Sequence, residues 1–245
     1  IAAFGSTNLL IRNNLIEEGS DSGIVLNFDC PDTVIKRNEI EAFSKGITIY
    51  TGCTNFLIVQ NCISSNFFNG IHIAGSPGTI SKNEISEGGG EDLFVKSMES
   101  VVDMTNNLIV NNMFEGIRFD SADPGSTITY NTLFNNGNGI VVTMTPGATI
   151  KNNIVSANGA QGIDVDSAST NSLVLDYNCS FGNTPNWANM ATQGANSFSA
   201  DPEFASTLPG AEDFHLKSLG GRLSSKGWTN DIVHSPCIDT ADPGN

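Results

Sequence analysis

Lys96 and Arg118 stand one repeat apart in a chain of 245 residues, with His72 and Asp120 in flanking positions and Tyr50, Asp164 and Asp166 further out. These residue types suit β-elimination on a polyuronate, in which a base removes the proton beside the carboxylate while a cation neutralises that carboxylate. Lys96, Arg118, Asp120 and His72 are therefore the catalytic candidates, and Tyr50, Asp164 and Asp166 the substrate-binding ones. Asp164 and Asp166, two apart on one strand face, can also share a hard cation such as Ca²⁺ through carboxylate oxygens.

Bringing these residues together needs a regular framework, and the sequence supplies one. Eight Asn residues (Asn14, Asn38, Asn61, Asn83, Asn107, Asn131, Asn153 and Asn178) recur about every 23 residues. Each is centred in a short apolar pattern such as TVIKRNEI (33–40), GTISKNEI (78–85) or ATIKNNIV (148–155). Between them runs a second series that includes SGIVLN (22–27), KGITIY (45–50), NGIHIA (69–74), EGIRFD (115–120) and NGIVVT (138–143). Both series alternate with period two, so both read as short strands. A repeat of that length without helix winds as a coil, each strand pairing in parallel with its equivalent one turn later. The inward Asn is expected to take a left-handed backbone and to bond to the amide of the next coil.

Winding the chain this way defines two outward columns on the GIxV strands. One holds Ala2, Val25, Thr48, His72, Phe94, Arg118, Val141 and Asp164; the other holds Phe4, Asn27, Tyr50, Ala74, Lys96, Asp120, Thr143 and Asp166. Two readings of their polar middle stand side by side. Lys96 and Arg118 serve a reaction, or Lys96 forms a cross-strand ion pair with Asp120, Arg118 is neutralised by the same carboxylate, and Asp164 and Asp166 merely solvate an exposed strand. Short turns such as GSPG and MTPG raise no walls around this face. Asp120 and Asp164, two coils and roughly 10 Å apart, neither support nor exclude paired-carboxylate hydrolysis.

Composition narrows the classes. With 11 Lys and Arg against 26 Asp and Glu, the net charge is −15, which argues against sequence-independent binding to nucleic acid or anionic membrane. No apolar run reaches the length of a membrane span. Charged residues are only 15% of the chain, with 25 Gly and 29 Asn, a composition for turns and strands rather than salt-bridged helices.

The GIxV…IxxNxI pattern and its Asn column resemble the right-handed parallel β-helix of the pectin-lyase-like superfamily over about residues 1–180. The resemblance implies an all-β solenoid of about eight coils whose GIxV sheet floors a substrate cleft. The Lys96 and Arg118 offset is similar to the Lys/Arg pair of alginate-lyase and chondroitinase-B-like β-helices. From this follows the expectation of a secreted or cell-surface protein, carbohydrate-active or carbohydrate-binding, with an acidic polysaccharide as partner and polyuronate lyase or epimerase as the activity if it is catalytic. A non-catalytic structural or adhesive solenoid is the rival, and a phage-type spike would require trimerisation. Oligomeric state is left open.

The repeat starts inside a GIxI strand, which reads as a fragment with further coils before it, and it decays after Asn178. Residues 181–245, with ADPEF, DFHL and SPCID, resemble the closing segment of secreted β-helix proteins; His215, Trp228 or His234 could mark a site there, but the expectation is an irregular C-terminal cap in which they cover the last rung. Cys30 and Cys53, one coil apart, are placed for either a disulfide or a stacked pair of buried thiols.

Overall fold

The computed structural model describes residues 1–90, 93–96, 100–224 and 226–243, with 93–96 given by their backbone alone. The chain winds as a parallel β-helix with three sheets. The first holds nine strands, from Ala2–Phe4 through Ser22–Asn27, Lys45–Ile49, Asn69–Ala74, Leu93–Lys96, Glu115–Asp120, Asn138–Thr143 and Ile163–Val165 to Trp187–Asn189. The second runs in eight strands from Leu10–Arg12 to Val174–Asp176, and the third in eight from Leu15–Glu17 to Cys179–Phe181. Among the described residues the one helical turn is Ser167–Ser169, and no helix is long and apolar enough to cross a membrane.

Among the described side chains, most coils send an inward rung from each sheet, usually Ile or Val. Ile71 and Ile73 of the first sheet, Ile80 of the second and Ile85 of the third are all fully buried, and the equivalents one coil away repeat the arrangement. Burying each such side chain contributes about 1.5–3 kcal/mol, so the stack is held mainly by these rungs. The glycine that opens the GIxV strands has a steric reason. A Cβ on Gly46 would lie 2.5 Å from the Gly70 carbonyl oxygen, where the corners of successive coils press together.

Between the second and third sheets the expected Asn ladder is present, from Asn14 to Asn178. Asn107 Nδ2 donates to Asn131 Oδ1 at 2.9 Å and to the Ile80 carbonyl at 3.0 Å, so both of its amide hydrogens are used. One expectation is corrected. The left-handed residue is the one before each ladder Asn, such as Arg37 (φ 53°), Lys82 (φ 56°) and Tyr130 (φ 58°). The turn needs its bend one residue earlier, so that the Asn itself can enter the third sheet with its amide inward.

A second ladder joins the third sheet to the first. Asn112 donates to Asn136 at 2.7 Å, Asn136 to Asn158 at 3.0 Å and Asn158 to Asn183 at 2.9 Å. At the remaining corner hydroxyls do similar work. Cys53 N–H donates to Ser76 Oγ at 3.0 Å and Thr145 N–H to Ser169 Oγ at 3.0 Å. Cys30 and Cys53 sit buried in that corner as free thiols, and burial pushes the Cys53 thiol up to about 11.

After the last coil, Asn178 N–H donates to Ser197 Oγ at 3.1 Å, which ends the first ladder. The chain then turns back. Two antiparallel hairpins, Phe204–Ser206 with Asp213–Leu216 and Arg222–Ser224 with Gly227–Thr229, follow one another in this returning tail. Phe134, on the outer face of the third sheet, packs against Phe204 (5.9 Å between centroids) and Phe214 (5.3 Å). Lys151 Nζ meets Asp242 Oδ2 at 2.8 Å. His215 therefore lies beside middle coils rather than over the last rung, and Trp228 is 71% exposed. The outward aromatic ring at Phe134 offers the tail an apolar seat that the sequence pattern alone did not disclose.

Candidate functional site

Backbone register places the sequence candidates as the two outward columns require. Thr48 pairs with His72, His72 with Phe94, Phe94 with Arg118 and Arg118 with Val141. Lys96 pairs with Ala74 on one side and Asp120 on the other. Its side chain lies outside the described residues, and with it the expected Lys96–Asp120 ion pair.

Basic groups from successive coils follow one another across this face in an otherwise acidic molecule. Lys45 Nζ donates to His72 Nδ1 at 3.1 Å, which joins the third and fourth strands of the first sheet. Lys96 and Arg118 belong to the next two coils. Arg118 is held by Glu115 at 3.6 Å rather than by Asp120, and its buried Nε has no hydrogen-bond partner among the described residues. Asp120 accepts from the Ser121 hydroxyl at 3.1 Å. Tyr50 is exposed at the edge of the same face.

Asp164 and Asp166 are differently engaged. Asp166 caps the turn Ser167–Ser169, accepting from Ser169 N–H at 2.9 Å and from the Ser169 hydroxyl, while its other oxygen accepts from Met144 N–H at 3.1 Å. Asp164 accepts from the Asn189 amide. A Ca²⁺ ion wants six to eight oxygens, and among the described residues no three His, Cys, Asp or Glu groups gather as a metal site. The donor set here does not fit the ion, so no chemistry is routed through it.

A second site was not legible in the repeat. Between the outer face of the third sheet and the tail lies a cleft of about 1260 Å³. Glu84, Glu87, Asn106, Asn111 and Tyr130 line its solenoid side, and Asp213, His215, Arg222 and Lys226 its tail side. Asp213 accepts from His215 Nδ1 at 2.6 Å and from Arg222 at 3.1 Å. Arg222 also donates to Asp231 at 3.0 Å. Burial pushes the Asp213 carboxyl up, but hydrogen bonds from the His215 side chain and backbone and the nearby charges outweigh it and hold the group below the usual carboxylate range. Asp231 is held low first by the Ser218 N–H and then by Arg222. The available signal was the alternation of Asp213-Phe-His-Leu216, which sets Asp213 and His215 on one strand face and Phe214 on the other.

Three parallel sheets, stacked Asn ladders and inward Ile rungs define the class as a β-helix. A family model described as a right-handed beta helix region matches residues 1–78. The chain belongs to the family described as "Disaggregatase related", whose model matches residues 58–241. No curated protein matches it. Among solved structures it is similar to the A-module of the Azotobacter vinelandii mannuronan C-5 epimerase AlgE6, at 12% identity and a TM-score of 0.40, over 81% of this chain and 76% of that one.

Proposed function

We propose that this chain is a carbohydrate-active or carbohydrate-binding β-helix that works outside the cell on an acidic polysaccharide, along the outer face of the first sheet. The observation that carries the reading is the succession of Lys45, His72, Lys96 and Arg118 on four consecutive coils of a chain with net charge −15. A polyanion is repelled by most of this surface and attracted here, and basic side chains spaced by one coil, roughly 4.8 Å, can follow an extended polymer. As a polyuronate lyase or epimerase, the site would use Arg118 to neutralise the sugar carboxylate. The base, from Lys96, or from His72 once Lys45 releases its Nδ1, would take the adjacent proton. In elimination the electron pair forms the ring double bond as the glycosidic oxygen leaves with a proton; in epimerisation the carbon is reprotonated from the opposite face. Tyr50 would stack against a sugar ring, and Asp164 would accept from its hydroxyls.

The test is ultraviolet detection of unsaturated uronide, with proton NMR for epimerised residues, after incubation with alginate, pectate and glycosaminoglycans. Runs with and without calcium, and with Lys96→Ala and Arg118→Ala, complete it. Product from the parent that both variants lose supports the reading. The short turns beside this sheet favour a second reading, a structural or adhesive surface solenoid, and absence of product and of binding to every polymer would select it.

A further inference from the structure

We infer that the cleft between the third sheet and the folded-back tail binds an uncharged polysaccharide strand, at a site separate from the first-sheet face. Its solenoid wall comes from three successive coils, carrying Glu84 and Glu87, then Asn106 and Asn111, then Tyr130. At one coil per roughly 4.8 Å, that wall runs about 10 Å along the axis, a length suited to consecutive sugar rings of a linear chain. Tyr130 is 36% exposed and offers a ring face for stacking, while the amides and carboxylates offer the acceptors and donors that sugar hydroxyls require.

Charge decides which sugar. Glu84 and Glu87 face the cleft from one side and Asp213 from the other. Arg222, the most buried cation at the site, is tied to both Asp213 and Asp231. A polyanion would meet carboxylates on both walls. A neutral polyol would instead donate its hydroxyl hydrogens to them. His215 uses Nδ1 on Asp213, and its Nε2 has no partner among the described residues, so the imidazole is oriented by the carboxylate and presents a second polar atom to a ligand.

Isothermal titration of the full chain with hexasaccharides of cellulose, xylan and mannan, against hexagalacturonate, tests this. The variants are Tyr130→Asn, which keeps a residue tolerant of the positive φ, His215→Ala and, as comparator, Arg118→Ala, with thermal melts confirming that each is folded. The expected result is that a neutral hexasaccharide binds, that Tyr130→Asn or His215→Ala weakens it about tenfold, and that Arg118→Ala does not. The inference is overturned if no neutral hexasaccharide binds, if binding is indifferent to both cleft variants, or if Arg118→Ala abolishes it. Loss of first-sheet activity in Arg118→Ala with cleft binding intact would separate the two sites.

Discussion

Asn107 gives both its side-chain amide and its backbone N–H to a single atom, Asn131 Oδ1, each at 2.9 Å. Asn107 Oδ1 in turn accepts the same pair from Asn83, at 3.0 and 3.1 Å. One side chain thus satisfies two backbone groups and two neighbours at a buried corner.

Asn107→Ala should therefore cost more than a typical core truncation of that size. It strands the Asn83 N–H and one hydrogen of the Asn83 amide and removes a donor from the Ile80 carbonyl, while Asn131 Oδ1 keeps only the backbone N–H of residue 107, and unsatisfied buried groups cost about 1–3 kcal/mol each before relaxation. A loss of roughly 3–5 kcal/mol in urea-unfolding free energy is expected; a loss under about 1 kcal/mol would remove the ladder from any account of stability.

Phe134→Ala should release the tail without unwinding the coil. The ring contacts Phe204 and Phe214 but points away from the Ile rungs. Hydrogen exchange should rise across 201–243 while amides of the second ladder stay protected. Uniform exchange throughout would mean that tail and solenoid unfold as one unit.

Acid should loosen the tail first. Asp213 and Asp231 have depressed folded values, so their contribution is complete above the unfolded carboxylate value near 3.9 and fades as pH falls through the lower folded one. Lys151 is raised, first by its hydrogen bond to Asp242, so its contribution is complete below about 10.4 and fades as pH climbs beyond it. Tail protection measured by hydrogen exchange should not fall between pH 5 and 8; a fall between pH 6 and 8 would contradict the assignment.

Cys62 should alkylate slowly for an exposed thiol. Desolvation raises its value, and Glu84, Glu39 and Glu41 add to the rise. Glu84→Gln should speed its reaction with iodoacetamide at neutral pH, read by mass spectrometry. An unchanged rate would show that the carboxylate does not act on the thiol.

The period, the first ladder and the register of both outward columns were legible because each is a column of one residue type or one apolar alternation. Arg118 falls between Phe94 and Val141 just as the repeat places it. The second ladder was not, because Phe43 and Gly88 interrupt it and leave Asn66 with no Asn on either side. The left-handed position was misplaced by one residue because its side chain points to solvent, so residues as unlike as Arg37, Gln60 and Tyr177 all occupy it. The returning tail has no repeat to read. Its docking depends on Phe134, one outward residue whose equivalents in neighbouring coils are Val110 and Ser156.

A stack whose coils touch only their neighbours can fray from an end one layer at a time. This one is laced: the segment that leaves the final coil is anchored at Lys151 and Phe134 and lies beside Glu84. Peeling the last layers must either drag that lacing off the middle of the stack or stretch the chain between them, so a local breathing motion at that end becomes a cooperative one reaching several coils inward.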